Sequence, residues 1–205
     1  MKTLRSEEGK EVLEYLKSER GLTDKIIDLF QIGFCPDRVN HELSGKIIIP
    51  VLDTYGEPVA ISTRNPGNRR DFWHESYDKI FYLYGLYIAK LNILFKKKAI
   101  LVEGEFDVMS LHQYGFSTTV GVCGSSFSIF QASVLARYCK KIYLLFDSDV
   151  AGEQAIKKVL EMKKEKLYNV DFIPVYLPGS TDPDEYIRKN GKNKLIELLE
   201  GSKVV

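Results

Sequence analysis

Apolar residues along this chain change their period near residue 97. Upstream, Val12, Leu13 and Leu16 recur at helical spacing, and the stretch from Thr23 to Phe30 opens with a capping-type Thr and repeats apolar positions. Residues 1–40 therefore read as helices. Residues 46–64, KIIIPVLDTYGEPVAISTR, read as two strands around a Tyr-Gly turn. Residues 65–80 are polar and aromatic and are broken by Pro66 and Gly67, which predicts a long loop of the kind that often carries function.

Downstream, short apolar runs alternate with helical stretches. AILV (99–102) is followed by a helix to about Tyr114, STTVGV (117–122) by a helix to about Cys139, and KIYLLF (141–146) by a helix from near Ala151. VDFIPVYL (170–177) precedes two short helical segments. Strands alternating with helices predict an α/β fold, with a mostly parallel sheet covered by helices on both faces. The lysine triplet Lys96 to Lys98 marks the expected boundary between a smaller α+β subdomain (1–97) and this α/β domain (98–205).

Composition narrows the function classes. With 205 residues, 44% hydrophobic and 28% charged, the chain can bury a sizeable core. A net charge of +1 lacks the signature of a protein that coats duplex nucleic acid, although a carboxylate-rich site can mask a basic groove in the sum. Cys35, Cys123 and Cys139 form no C-x-x-C pair, so neither a disulfide framework nor a zinc site is expected, and a reducing cytoplasmic setting fits. No apolar run approaches the roughly 20 residues that span a bilayer, and the N-terminus lacks a signal-peptide core.

Carboxylates fall where a parallel sheet places its chemistry, beyond the carboxyl ends of its strands. Glu103 directly follows AILV in the string E-G-E-F-D, and Asp107 lies one helical turn further on. Asp147 and Asp149 directly follow KIYLLF, and in extended geometry residues i and i+2 face the same side. Asp182 and Asp184 flank Pro183, which keeps Asp182 out of helical geometry. So many like charges are costly together unless a cation compensates, and hard divalent ions such as Mg²⁺ or Mn²⁺ prefer oxygen ligands. Two such ions roughly 3.5–4 Å apart would stabilise an in-line phosphoryl displacement. A structural reading stands beside this one: Asp149 and Asp182 are also well placed to cap the helices that follow.

These segments resemble a known family. Residues 100–190 are similar to the Toprim domain of topoisomerases and primases, and their details to the catalytic core of DnaG-type primases. EGEFDVMSLHQYGF follows that core's E-G-x-x-D-x-x-x-L-x-x-x-G, and FDSDVAGEQA its D-x-D-x-A-G-x-x-A. GVCGSSFS resembles its L-G-T-x-x-T, and LPGSTDPDEYI its L-P-x-G-x-D-P-D-E. Upstream, YLKSERGLTDKIIDLFQIGF, GKIIIPVLDTYGEPVAISTR and KIFYLYGLYIAK resemble the opening helices, strand pair and K-x-x-x-L-Y-G-L helix of the same core.

The resemblance implies a Toprim-type sheet preceded by a basic subdomain, and template-directed synthesis of RNA primers from nucleoside triphosphates on single-stranded DNA. It implies that Glu103, Asp147 and Asp149 are catalytic and metal-binding, with Asp107, Asp182 and Asp184 as outer metal ligands and Glu103 as proton acceptor. Two or more Mg²⁺ or Mn²⁺ ions are expected. Arg20, Arg64 and Lys79 fall on basic positions of the family's template and nucleotide groove, which Lys46 and the Arg69-Arg70 pair would extend. Phe72, Trp73 and His74 either stack on bases or pin their loop to the core. Asp71 departs from the family, which has a lysine there. The Cys-rich zinc domain that precedes this core in the family is absent from the sequence, so a separate zinc-binding domain and a replicative helicase are expected as partners. His74 reads as a loop hydrogen-bonder and His112 as a helix-surface residue. Two other readings remain at this point: a Toprim-family metal-dependent nuclease, and a non-catalytic module that binds single-stranded nucleic acid.

Overall fold

A computed structural model describes residues 2–37, 39, 42–67, 73, 75, 77–122, 124, 126–166 and 169–204, without the side chains of 163–166. It divides into two compact units, Met1–Tyr77 and Asp78–Val205. The division falls upstream of the lysine triplet, because the helix just before that triplet buries its residues in the second unit's core.

The first unit begins with two short 3₁₀ turns, Thr3–Arg5 and Glu7–Gly9, then α1 (Lys10–Ser18) and α2 (Asp24–Leu29). Arg5 binds Asp24 and Asp28 at 2.7 and 2.6 Å, and Lys17 joins Asp24 at 2.7 Å, tying the lead-in to α2. A three-stranded antiparallel sheet follows in the order β1 (Gly33–Phe34), β2 (Ile47–Leu52), β3 (Pro58–Arg64). In β2, Ile47, Ile49 and Val51 are fully buried while the residues between them are half-buried, the alternation of a strand with one face on a core. Asp53 holds the turn by accepting the N–H groups of Tyr55, Gly56 and Glu57 at 2.8–3.0 Å.

The second unit carries a four-stranded parallel sheet in the order β5 (Thr119–Gly121), β4 (Lys98–Val102), β6 (Lys141–Leu144), β7 (Asp171–Pro174). Ala99, Ile100, Leu101 and Val102 of β4 are all buried, as expected of an inner strand covered on both faces. The helices are α3 (Leu86–Lys96), α4 (Glu105–Gln113), α5 (Ile129–Ala136), α6 (Val150–Lys166) and α7 (Pro183–Gly201). The expected pair of C-terminal helical segments is α7, broken at Gly191 where φ is 78°. A short 3₁₀ turn at Lys79–Phe81 opens the unit, and Tyr84 exchanges backbone hydrogen bonds with Gly121 at 2.9 and 3.0 Å, extending the sheet beyond β5.

Gln131 fastens that opening segment to the domain. The two N–H bonds of its buried amide are shared among the carbonyls of Lys79, Tyr82 and Val122 at 3.1, 2.6 and 3.0 Å, while its Oε1 accepts the Ser128 N–H in a capping box. Leaving the buried Val122 carbonyl without a donor would cost roughly 1–3 kcal/mol. Among the described residues, no helix is long and apolar enough to cross a membrane.

Candidate functional site

The strand order fixes where the site lies. From β4 the chain crosses to β5 on one side, then returns to lay β6 on the other side of β4. A crevice opens at such a reversal, beyond the carboxyl ends of the two strands. Glu103 follows the end of β4 and Asp147 lies just beyond β6, so the two residues flank that crevice. The Asp147 N–H points to Glu103 Oε1 at 3.4 Å, at the long limit of a hydrogen bond.

Asp147 is the strained member. Its Oδ1 is buried without a hydrogen-bond partner among the described residues. Burial pushes its carboxyl up to about 7, with the charges of Glu103, Asp182 and Asp149 adding to the shift. Burial also raises Glu103, opposed by the Asp147 N–H and reinforced by the charge of Asp149. Asp149 is exposed at the start of α6, where its Oδ1 accepts the Gly152 N–H at 2.8 Å. The capping reading of Asp149 therefore holds, and it coexists with the electrostatic pressure Asp149 exerts on both neighbours.

The remaining acids divide. Asp182 is the N-cap of α7: extended backbone, Pro183 at the first helical position, and Oδ1 accepting the Glu185 N–H at 2.6 Å. Its charge reaches both Asp147 and Asp107. Asp107 and Asp184 lie buried in the seam between α4 and α7 and are well supplied with donors. Asp107 accepts the Gly104 N–H at 2.9 Å and the Asp184 N–H at 3.1 Å, while burial, then the charges of Asp182 and Asp147, raise its carboxyl well above the ordinary range. Asp184 accepts the Ser110 hydroxyl at 2.5 Å and the Arg188 guanidinium at 2.8 Å. Among the described residues, no group of three or more His, Cys, Asp or Glu side chains is gathered closely enough to form a metal cage. The crowded pair at the crevice, with the orphaned oxygen of Asp147, nevertheless offers the hard oxygen donors that a divalent cation prefers.

Two residues that sequence reading passed over set this geometry. Ser148, between the two aspartates, has its hydroxyl 2.6 and 2.8 Å from the carbonyls of Gly179 and Thr181, which share its one proton, and it accepts the Thr181 N–H at 2.7 Å. It thereby ties the loop after β6 to the loop that ends at Asp182. Gly152 lets α6 start against the Asp147 backbone: a Cβ there would lie 2.0 Å from the Asp147 carbonyl oxygen. The A-G-x-x-A spacing carried a signal for Gly152, but nothing in D-S-D marked the serine.

Of the basic candidates, Lys46 and Arg64 end up together, since Arg64 pairs with Ile47 across β2 and β3. Both are half-buried, and Arg64 Nη1 donates to the Thr63 carbonyl at 2.9 Å. Arg20 is half-buried after α1, and Lys79 is half-buried in the 3₁₀ turn of the second unit. Arg69, Arg70, Asp71, Phe72 and His74 lie outside the described residues. Trp73 is half-buried, and its backbone pairs with Thr63 at 2.8 and 3.1 Å, so this aromatic is held along β3. His112 is not a surface residue of α4 as expected: its Nε2 lies 2.9 Å from the Thr119 carbonyl, and burial lowers its pKa.

Comparison with known proteins places this architecture. The family model described as Toprim-like matches residues 100–187. The DNA primase of Clostridium acetobutylicum is 30% identical over 204 residues, covering 96% of this chain and 33% of that protein, so the chain spans about a third of that relative's length. A crystal structure of the zinc-binding and RNA polymerase domains of Aquifex aeolicus primase aligns with a TM-score of 0.85 and 27% identity, over 99% of this chain and 58% of that one. A structure of the DnaG primase catalytic domain bound to single-stranded DNA aligns with a TM-score of 0.90 and 25% identity, over 100% of this chain and 75% of that one. Residues 100–187 thus form a Toprim-like domain, and nearly the whole chain has the fold and sequence likeness of the DnaG-type primase catalytic core.

Proposed function

We propose that this chain is the catalytic core of a DNA primase, a DNA-directed RNA polymerase that makes short primers from nucleoside triphosphates on single-stranded DNA. The observation that carries the reading is the meeting of Glu103 and Asp147 at the switch point of the parallel sheet, with a buried Asp147 oxygen left without a donor. Glu103, Asp147 and Asp149 would hold Mg²⁺ or Mn²⁺, with Asp182 nearest in charge and Asp107 and Asp184 supporting from the α4–α7 seam. A divalent ion bound there supplies charge for phosphate oxygens and acidifies a hydroxyl.

The protein's own groups do the rest. Burial raises Glu103 above the ordinary carboxylate range, which makes its Oε atoms better suited to take up the proton of an attacking 3′-hydroxyl. Ser148 holds the Asp147 loop in register with the Asp182 loop, and Gly152 lets α6 start against the Asp147 backbone. Lys46, Arg64, Arg20, Arg70 and Lys79 would contact template and triphosphate, the long-range part of such binding. Single-stranded DNA and nucleoside triphosphates are therefore the expected partners, with a zinc-binding domain and a replicative helicase as further ones, in the cytoplasm of a bacterial or phage-infected cell. The Toprim-like part of the second unit would carry the catalysis, and the basic residues of the first unit would contact template.

The test is primer synthesis from the four ribonucleoside triphosphates on single-stranded DNA with Mg²⁺ or Mn²⁺. Short RNA products that vanish in Glu103→Gln and Asp147→Asn are expected. Metal-dependent cleavage of the template without synthesis would instead point to a nuclease, and nucleic-acid binding indifferent to both substitutions to a passive module.

A further inference from the structure

Helix α3 is apolar on both sides, yet only one side is covered. Leu86, Ala89 and Ile93 are 3%, 0% and 0% exposed and fill the domain core. On the opposite face, Tyr87, Leu91, Leu94 and Phe95 are 42%, 71%, 41% and 88% exposed. Their i, i+4, i+7, i+8 spacing aligns them into one stripe. Scattered exposed apolar residues are ordinary, but a contiguous strip marks a surface that meets something. A helix that is apolar all round is normally buried all round.

Charge says what would cover it. Residues 86–98, LYIAKLNILFKKK, contain Lys90, Lys96, Lys97 and Lys98 and no Asp or Glu. Lys140 and Lys141 join the same end: the Lys140 N–H donates to the Lys97 carbonyl at 3.2 Å, and Lys141 pairs with Lys98 across β4 and β6. One or two lysines complement the carboxyl end of a helix, but this cluster exceeds that need.

We propose that the outer face of α3 is a docking surface for an acidic amphipathic segment of a partner protein. Its apolar residues would cover the Tyr87, Leu91, Leu94 and Phe95 stripe, and its carboxylates would meet the lysines at the end of the helix. A second copy of this chain fits less well, because its own α3 face brings no carboxylate to oppose those lysines. An anionic bilayer also fits less well: interfacial helices carry cations along their polar flanks, whereas these are concentrated at one end.

The test is selection of random 16-residue peptides displayed on phage against the full chain, with counter-selection on the Leu91→Glu/Phe95→Glu variant. Both positions are exposed, so the variant should fold, which circular dichroism checks; Phe95→Ala is the milder companion. Enriched peptides should carry several Asp or Glu residues beside apolar residues at helical spacing. A synthetic enriched peptide should bind the double variant roughly 30-fold more weakly, as expected on losing apolar anchors. It should bind Lys96→Glu/Lys97→Glu roughly 5-fold more weakly, with affinity falling as salt rises. No enrichment, or peptides that bind both proteins alike, would overturn the proposal. Binding to phosphatidylserine vesicles that the double variant loses would overturn it in favour of a membrane. Sedimentation showing a dimer that the double variant dissociates would overturn it in favour of self-association.

Discussion

The crevice at the end of β4 and β6 and the seam between α4 and α7 use the same side chain for opposite ends. In the seam, Asp107 and Asp184 are buried and supplied with donors from Gly104, Ser110, Arg188 and the backbone of α7. At the crevice, Asp147 is half-buried beside other carboxylates, and its buried Oδ1 has no donor among the described residues. A satisfied buried carboxylate holds two helices together. An unsatisfied one weakens the metal-free fold and leaves a position that a cation can fill. Charge alone does not separate structural from chemical acids; the donors around them do.

The comparison breaks most visibly at Asp147. Asp147→Asn is expected to lower primer synthesis by on the order of 100-fold or more, the several kcal/mol that an ion contributes at the reacting phosphate. The same substitution should raise the melting temperature in chelator, since it removes a crowded charge. Asp184→Ala should do the reverse. It removes the buried carboxylate to which Ser110 and Arg188 donate and is expected to cost about 3–5 kcal/mol in denaturant unfolding.

Gly152→Ala tests the backbone support of the crevice. Its added methyl would lie 2.0 Å from the Asp147 carbonyl oxygen, so α6 or the loop must move. Overpacking of this kind costs about 1–3 kcal/mol, and primer synthesis per folded molecule should fall with it. The smallest expected effect is in the pH profile. Burial and then neighbouring charge hold a proton on Asp147 up to about 7, which an unfolded Asp has released by about 4. Between those values the native state binds more protons, so metal-free stability falls as pH rises. Melting in chelator should be higher at pH 5 than at pH 8, and the gap should narrow in Asp147→Asn.

Much of this was legible in the sequence. The apolar run AILV ending at Glu103 and KIYLLF ending just before Asp147 revealed both strands and the edge they share, because burial on both faces writes itself as an unbroken apolar run. Pro183 likewise announced the start of α7 and its cap at Asp182. The partners of Asp184 were not legible. Ser110 lies 74 positions away and the Asp107–Asp184 contact spans 77, so only the folded chain reveals that these acids are engaged. The loop-bracing role of Ser148 and the three carbonyls held by Gln131 were hidden for the same reason. His112 misled because its helix carries apolar residues nearly all round, so its position had no outward face to imply.

Under the proposed function, Glu103, Asp147 and Asp149 share divalent cations. Mn²⁺ binding followed by electron paramagnetic resonance tests it most directly, without substrate or turnover. The unaltered chain should take up Mn²⁺ in a saturable way, with uptake sharply weakened in Asp147→Asn and Glu103→Gln and retained in Lys98→Ala. Equal Mn²⁺ uptake by all four proteins would contradict the claim.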